Sequence, residues 1–158
     1  MKTRRIAFHI LILLSLCLCS CGYLGKNEGN LTEGDLDYIN KIIPPGSDEI
    51  IELFTSNHGI YTVEKSGNFI TNKRLASYWI SDEENETSTA LYAQIDSIKT
   101  VDLVSTLTYA SYIEVFKKDG TVFKVYIDAN KVRTKEFFDR ARTNWEIKRW
   151  GLVMFNPR

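Results

Sequence analysis

Apolar residues recur at helical spacing in two segments of the chain, near its first quarter and near its end. Leu36, Ile39 and Ile43 fall on one face of a helix that Thr32 can cap, and a Pro-Pro-Gly stretch ends it. The second segment predicts a longer helix with Thr134 as its cap. Its apolar face would carry Phe137, Phe138, Ala141 and Trp145, opposite the polar Lys135, Asp139 and Arg142.

Between the two predicted helices the pattern changes to short alternating runs, which are typical of strands. Ser66-Gly67-Asn68 predicts a turn, and the acidic stretch 81–87, which has no apolar residue, predicts an exposed loop. The predicted strands are residues 49–56, 60–65, 69–80, 89–93, 98–104, 109–117 and 121–128.

The hairpin around Asp119-Gly120 allows two registers. A two-residue turn would place Glu114 among the apolar side chains of one face. A three-residue loop, 118–120, with Gly120 in the left-handed region, instead sets Glu114 opposite Lys124 as a cross-strand charge pair. Because a slip of one residue exchanges the two faces, the pattern favours the second register. The buried face would then carry Ile113, Val115, Phe123 and Val125.

These elements predict a mainly β fold of the α+β class. About seven antiparallel strands, joined by sequential hairpins, would close into a small barrel because an antiparallel sheet of that size must hide its inner face. A short helix would precede the strands. The apolar face of the C-terminal helix would cover one open end of the barrel.

The first residues have a different character. Lys2, Arg4 and Arg5 precede the apolar run 6–18, which is too short for the roughly 20 residues of a membrane-spanning helix and suits the apolar region of a secretory signal peptide. The run ends in Leu18-Cys19-Ser20-Cys21, which resembles the lipobox of bacterial lipoproteins.

Of the three cysteines, only Cys21 has a small residue directly before it. The resemblance implies a signal peptide of residues 1–20, cleavage before Cys21, and a lipid, with palmitate among its acyl chains, on that cysteine. Two or three acyl chains hold a protein on a membrane where one does not. The alternative is an ordinary cleaved signal peptide in which Cys21 is incidental.

Residues 21–31 are rich in glycine and asparagine and predict a flexible tether to a single globular domain, 32–158. We expect the chain to be secreted across the inner membrane and anchored in the cell envelope. Gly22 stands where an aspartate would retain a lipoprotein of enteric bacteria in the inner membrane, so the outer membrane is favoured.

Charge and cysteine content narrow the function. Removal of Lys2, Arg4 and Arg5 leaves 17 basic and 20 acidic side chains, a formal charge of −3, which argues against nucleic acid as a partner. No cysteine follows Cys21, so the folded part has no internal disulfide and no thiolate metal site. We expect no cofactor and no metal.

The order of seven strands and a helix, covering about 48–149, resembles a bacterial pleckstrin-homology-like domain. The stretch from Gly67 to Leu75 resembles the G-x-x-x-T-[ND]-K/R-R-[LI] segment of such domains, and 95–98 resembles the D-I segment that follows it. The hairpin at Asp119-Gly120 and the closing helix 137–145 also match. The resemblance implies a binding scaffold more than an activity, since one fold hosts many functions.

Eukaryotic members of this fold grip phosphoinositides with basic residues around the first strand pair. The corresponding stretch here, 49–59, contains no lysine or arginine, which argues against that mode of binding. Lys65, Lys73 and Arg74 form a small basic group that we interpret as a solvated strand end.

Other residues with possible chemistry have simple structural interpretations. A catalytic histidine usually has a nucleophile and an orienting carboxylate nearby, and no local motif supplies them for His58. We therefore interpret His58 as an exposed loop residue. The loop acids Asp82, Glu83, Glu84 and Glu86 lack the spacing and the glycine of a calcium loop. The apolar tail 150–155 either packs on the domain or forms a partner-binding patch.

We therefore expect a lipid-anchored, non-enzymatic binding or assembly module with a protein partner in the envelope and no catalytic residues. The alternative is a small envelope hydrolase or carbohydrate-binding lipoprotein, with a site built from residues distant in sequence. A cleft lined by converging carboxylates and tryptophans would favour the alternative. A barrel filled with side chains would favour the binding module.

Overall fold

The computed structural model describes residues 31–56, 62–105 and 110–150, apart from the side chain of Trp150. Cys21, His58 and the tail after Trp150 lie outside the described residues. The helices are α1, Glu33–Ile42, and α2, Lys131–Trp150, and a short 3-10 helix spans Tyr92–Gln94. The strands are β1 Ile51–Thr55, β2 Ser66–Thr71, β3 Arg74–Ile80, β4 Asn85–Leu91, β5 Ile95–Val101, β6 Ser111–Lys117 and β7 Val122–Ile127.

The seven strands pair antiparallel in two sheets. Sheet 1 has the order β1-β2-β3-β4, and sheet 2 has the order β5-β6-β7. The predicted antiparallel strands and C-terminal helix are therefore confirmed, but the predicted closed barrel is not found among the described residues. The 3-10 helix Tyr92–Gln94 separates β4 from β5 and carries the chain from one sheet to the other, so these consecutive strands do not pair.

The main core fills the space between the sheets. As predicted, α2 contributes its apolar face, with Phe137 and Ala141 completely buried and Phe138 and Trp145 packed at the margin. The sheets contribute Leu53, Ile70, Leu75 and Ala90 from sheet 1, and Ile95, Ile113, Val115, Val125 and Ile127 from sheet 2.

A second core lies on the outer face of sheet 1, where α1 covers it. Its centre is formed by Ile39, Phe54, Phe69 and Tyr78. Thr32 caps α1 as predicted: its hydroxyl accepts the Asp35 N–H at 3.2 Å, and its own N–H donates to the Asp35 carboxylate at 2.8 Å. Leu36, expected on the buried face, is 37% exposed.

The strand boundaries correct three predictions in the first half of the chain. Residues 63–65 form a turn rather than part of a strand, and the predicted strand 69–80 is two strands, β2 and β3, joined at Asn72-Lys73. The predicted turn at Gly67 instead lies inside β2. A Cβ atom on Gly67 would stand 2.3 Å from the ring of Tyr78, so this glycine admits an aromatic ring against the strand.

Two further starting points differ from the prediction. Strand β4 begins at Asn85, so the exposed loop is shorter than 81–87. Helix α2 begins at Lys131, and its cap is Asn130, whose side-chain oxygen accepts the Arg133 N–H at 3.0 Å. Thr134, the expected cap, is buried within the first turn. Of the described helices, none is long and apolar enough to cross a membrane.

The hairpin between β6 and β7 has the predicted register. Glu114 pairs with Lys124, the loop is 118–120, and Gly120 has a φ of 86°. The Asp119 carboxylate accepts both the hydroxyl and the N–H of Thr121, and these bonds, with Lys117 nearby, lower the pKa of Asp119 to about 2. Local chemistry therefore determines this turn.

Candidate functional site

The inner face of sheet 1 changes character along its length. Close to α2 it is apolar, with Leu75 beside Ala90. Further along the same face, Ser77 lies beside Ser88 and then Trp79 lies beside Glu86, because alternate residues of a strand share a face. Sheet 2 does not cover this polar end of sheet 1. An open cleft of about 490 Å³ lies there, between the polar end of sheet 1 and strand β7 of sheet 2.

The other wall of the cleft is β7. Its residues alternate between Phe123, Val125 and Ile127, which face the core, and Val122, Lys124 and Tyr126, which face away from it. The cleft is lined by Ser77, Tyr78, Trp79, Glu86, Ser88, Val122, Phe123, Lys124 and Tyr126.

A buried amide closes the inner end of the cleft. The side-chain oxygen of Asn68, which is fully buried on β2, accepts the backbone N–H of Tyr126 at 2.9 Å and the hydroxyl of Ser77 at 2.9 Å. A side chain thus takes the place of a neighbouring strand at this point of β7. From Val122 to Tyr126 the edge of β7 borders the cleft.

Among the described residues that line the cleft, Glu86 and Lys124 carry charge. Glu86 is exposed, and the turn before it carries the exposed Asp82, Glu83 and Glu84, with the Lys65 ammonium 3.7 Å from Asp82. The ammonium of Lys124 lies 4.4 Å from the ring centroid of Tyr112, on the outer face of sheet 2. The cleft therefore offers aromatic surface, hydroxyl groups and the exposed carboxylate of Glu86.

The second half of the stretch that carries the family resemblance lies at the opposite end of sheet 1, where residues 71–74 and 46–50 form the β2–β3 clamp. The hydroxyl of Thr71 accepts the N–H of Arg74 at 2.8 Å and donates to Glu49 at 2.7 Å. Asn72 accepts the Ile50 N–H at 3.1 Å and donates to the Asp48 carbonyl at 2.9 Å.

An ion pair completes this clamp. Arg74 and Glu49 approach to 2.6 Å with side chains only 14% and 3% exposed. Burial raises the pKa of Glu49, but hydrogen bonds from Arg74, the Gly46 N–H and Thr71 outweigh it and hold the pKa below its usual value. Lys73 donates to the Ser47 carbonyl. The predicted basic group is therefore divided: Lys73 and Arg74 hold the clamp, and Lys65 lies at the other end of the sheet.

A second polar network ties α2 to the same end of sheet 1. The side-chain amide of Asn144 donates to Glu52 at 2.7 Å and to the Thr71 carbonyl at 3.2 Å. The Tyr92 hydroxyl also donates to the Thr71 carbonyl, at 2.8 Å, and burial raises the pKa of that hydroxyl. These contacts position the helix on sheet 1.

The sequence-predicted site residues have mixed outcomes. The four loop acids are exposed as expected, and the described residues contain no group of three or more His, Cys, Asp or Glu side chains that could hold a metal ion. The placement of Glu86 beside Trp79 and across from β7 was not predicted. The sequence did contain a signal for this placement. Ser77 and Trp79 alternate with buried residues along β3, so they share a face with Leu75, and that inward face therefore carries polar groups.

A solved structure has the same fold. A crystal structure of a DUF1696 family protein with a pleckstrin-homology domain from Shewanella loihica PV-4 matches with a TM-score of 0.50 and 15% identity. The match covers 78% of this chain and 98% of that one. No protein-family model and no curated protein matches this chain. The chain therefore has a pleckstrin-homology-like fold.

Proposed function

We propose that the mature chain is a lipid-anchored, non-enzymatic binding or assembly module of the cell envelope, and that its ligand occupies the cleft between β3, β4 and β7. The observation that carries the proposal is the cleft itself: a concave surface with aromatic side chains and a few polar groups is the usual form of a binding site. The filled core between the sheets supports a rigid scaffold around it.

The position of α1 supports a link between anchor and cleft. Tyr38 on α1 donates to the Glu64 carbonyl, beside Val63 and Tyr78, while the chain after α1 returns to the β2–β3 clamp. Helix α1 therefore begins at the end of sheet 1 that bears Trp79 and Glu86. A flexible tether of ten residues spans on the order of 16–19 Å. Lipid on Cys21 would thus hold the cleft close to the membrane surface.

The composition of the cleft supports binding over catalysis. Glycoside cleavage uses two carboxyl groups that flank the bond, and among the described residues lining the cleft Glu86 is the one carboxylate. One observation favours the alternative of a carbohydrate-binding lipoprotein: Trp79 and Tyr126 both line the cleft, and flat aromatic rings can stack on sugars.

Site-directed photo-crosslinking in cells tests the binding proposal. A photoreactive residue at Ser88, which lines the cleft, should capture a discrete species in the encoding bacterium. The same residue at Thr89, which is exposed on the opposite face of β4, is the matched control. Equal capture at both positions, or none at Ser88, would contradict the proposal.

The anchor is tested separately. Metabolic labelling with an alkyne fatty acid should tag the wild type and not Cys21→Ser, and the variant should leave the membrane fraction. Equal labelling of the two proteins would show that Cys21 is not the lipid-bearing residue. The photoreactive residue at Ser88 can also be combined with Cys21→Ser. If capture is then lost, the protein binds its ligand at the membrane.

A further inference from the structure

We propose that the cleft binds an extended polypeptide segment with a basic side chain, and that this segment adds as a strand to the free edge of β7. The inference rests on the proposed function, because it names the ligand class of the same cleft. Strand addition is a common way to recognise peptides: the backbone supplies hydrogen bonds, and alternate side chains supply specificity.

The register of β7 determines which of its backbone groups face the cleft. In an antiparallel ladder, hydrogen-bonded and non-hydrogen-bonded pairs alternate along the strand. The N–H of Tyr126 points away from β6, because it donates to Asn68. The N–H and C=O groups of Lys124 and Val122, two and four residues earlier, therefore point the same way, into the cleft.

The length of this edge suits a short segment. From Val122 to Tyr126 the strand covers about 13 Å at roughly 3.3 Å per residue, which matches four or five residues of a partner strand. Asn68 already makes the hydrogen bond at the inner end, so its amide marks where the added strand would stop. A sugar would not repeat its donors and acceptors at the spacing of this edge.

The charges around the cleft specify the side chain. Glu86 pairs with Trp79 on one wall, and the turn before it carries the exposed Asp82, Glu83 and Glu84. Lys124 also lines the cleft, but its ammonium lies against the ring of Tyr112 on the outer face of sheet 2. A lysine or arginine that projects from the added strand would meet both an aromatic face and a carboxylate, and each attracts a cation. An anionic lipid headgroup at the same position would be repelled by Glu86.

The test begins with selection from a displayed library of random ten-residue peptides on the mature lipidated chain in detergent micelles. We expect enrichment of peptides with lysine or arginine among β-forming residues. A synthetic peptide from the selection should slow hydrogen exchange at the amides of Val122 and Lys124 by at least tenfold. The same peptide with alternate backbone nitrogens methylated should lose binding.

Two pairs of variants separate the edge from the fold. Val122→Pro removes the N–H that faces the cleft and should lower the affinity for the peptide at least tenfold. Val122→Ala keeps that N–H and should lower the affinity less than threefold. Proline is tolerated at the start of an edge strand, and equal denaturation midpoints would verify that both variants fold. Glu86→Lys should weaken binding at least tenfold, and Thr89→Lys, on the other face, should not.

A selection without enriched peptides, enrichment of acidic peptides, or binding that leaves exchange at Val122 and Lys124 unchanged would overturn the proposal. Capture of a glycan from Ser88 would also overturn it while leaving the cleft as the binding site. Loss of capture from Ser88 altogether would instead remove the proposed function on which the inference rests.

Discussion

The two ends of sheet 1 differ in how their polar side chains are used. At the end covered by α2, Thr71, Glu49, Arg74 and Asn144 bond to one another or to nearby backbone. At the other end, Ser88 and Glu86 line an open cleft together with the edge of β7. The motif residues 71–74 thus stabilise the fold, and the proposed binding site lies at the other end of the sheet.

The largest effect is expected at the clamp. Arg74→Ala leaves the Glu49 carboxylate, 3% exposed, without its cationic partner. Breaking a buried pair in this way costs about 3–5 kcal/mol, so the free energy of unfolding should fall by that amount in chemical denaturation. Ser88→Ala in the cleft should change it by under about 0.5 kcal/mol. Similar losses for the two variants would remove the contrast between the two ends.

The next effect concerns the helix that covers the clamp end. Trp145 packs at the margin of the core, and its ring N–H donates to the Ile95 carbonyl at 3.3 Å. Trp145→Ala should cost about 3 kcal/mol, whereas the exposed Arg142→Ala should cost under about 0.5 kcal/mol. Denaturation midpoints of the two variants provide the measurement. A wild-type denaturation midpoint for Trp145→Ala would show that this side chain does not stabilise the packing of α2 against the two sheets.

Acid should weaken the clamp, because the Glu49 carboxylate is stabilised by its partners there. The pKa of Glu49 is lower in the folded chain than its ordinary value of 4.5, so its contribution to stability is present above that value and is lost as pH falls through the folded pKa. The free energy of unfolding should therefore decline below about pH 5. Glu49→Gln should flatten this decline and Ser88→Ala should not. Identical pH profiles for wild type and Glu49→Gln would contradict the role of the clamp.

The smallest effect on stability is expected at the cleft rim. Glu86 is exposed, so Glu86→Gln should shift the free energy of unfolding by under about 0.5 kcal/mol. The same variant should reduce photo-crosslinking from Ser88 at least twofold, because the rim loses a charge beside the ligand. A variant that crosslinks as well as the wild type would show that Glu86 does not contact the ligand.

Sequence reasoning predicted best where the deciding contacts are local. The register of the β6–β7 hairpin followed from the faces of adjacent residues, and Glu114 indeed pairs with Lys124. It predicted worst around Gly67, where a turn was expected within β2. The ring that requires this glycine belongs to Tyr78, on the next strand, and no pattern within 66–68 reveals it. The described residues contain seven strands, the number predicted, although 63–65 form a turn and the predicted strand 69–80 is two strands.

The amino-acid sequence by itself determined the antiparallel strands of the second half, the cap of α1 and the apolar face of α2, because alternation, capping and helical spacing act over a few residues. Only the tertiary structure decided the rest. Glu49 meets Arg74 from 25 positions away, and Asn68 meets Tyr126 from 58. The cleft exists because sheet 1 extends past β7. Such a site depends on the relative placement of two sheets, and that placement is the outcome of packing the whole core.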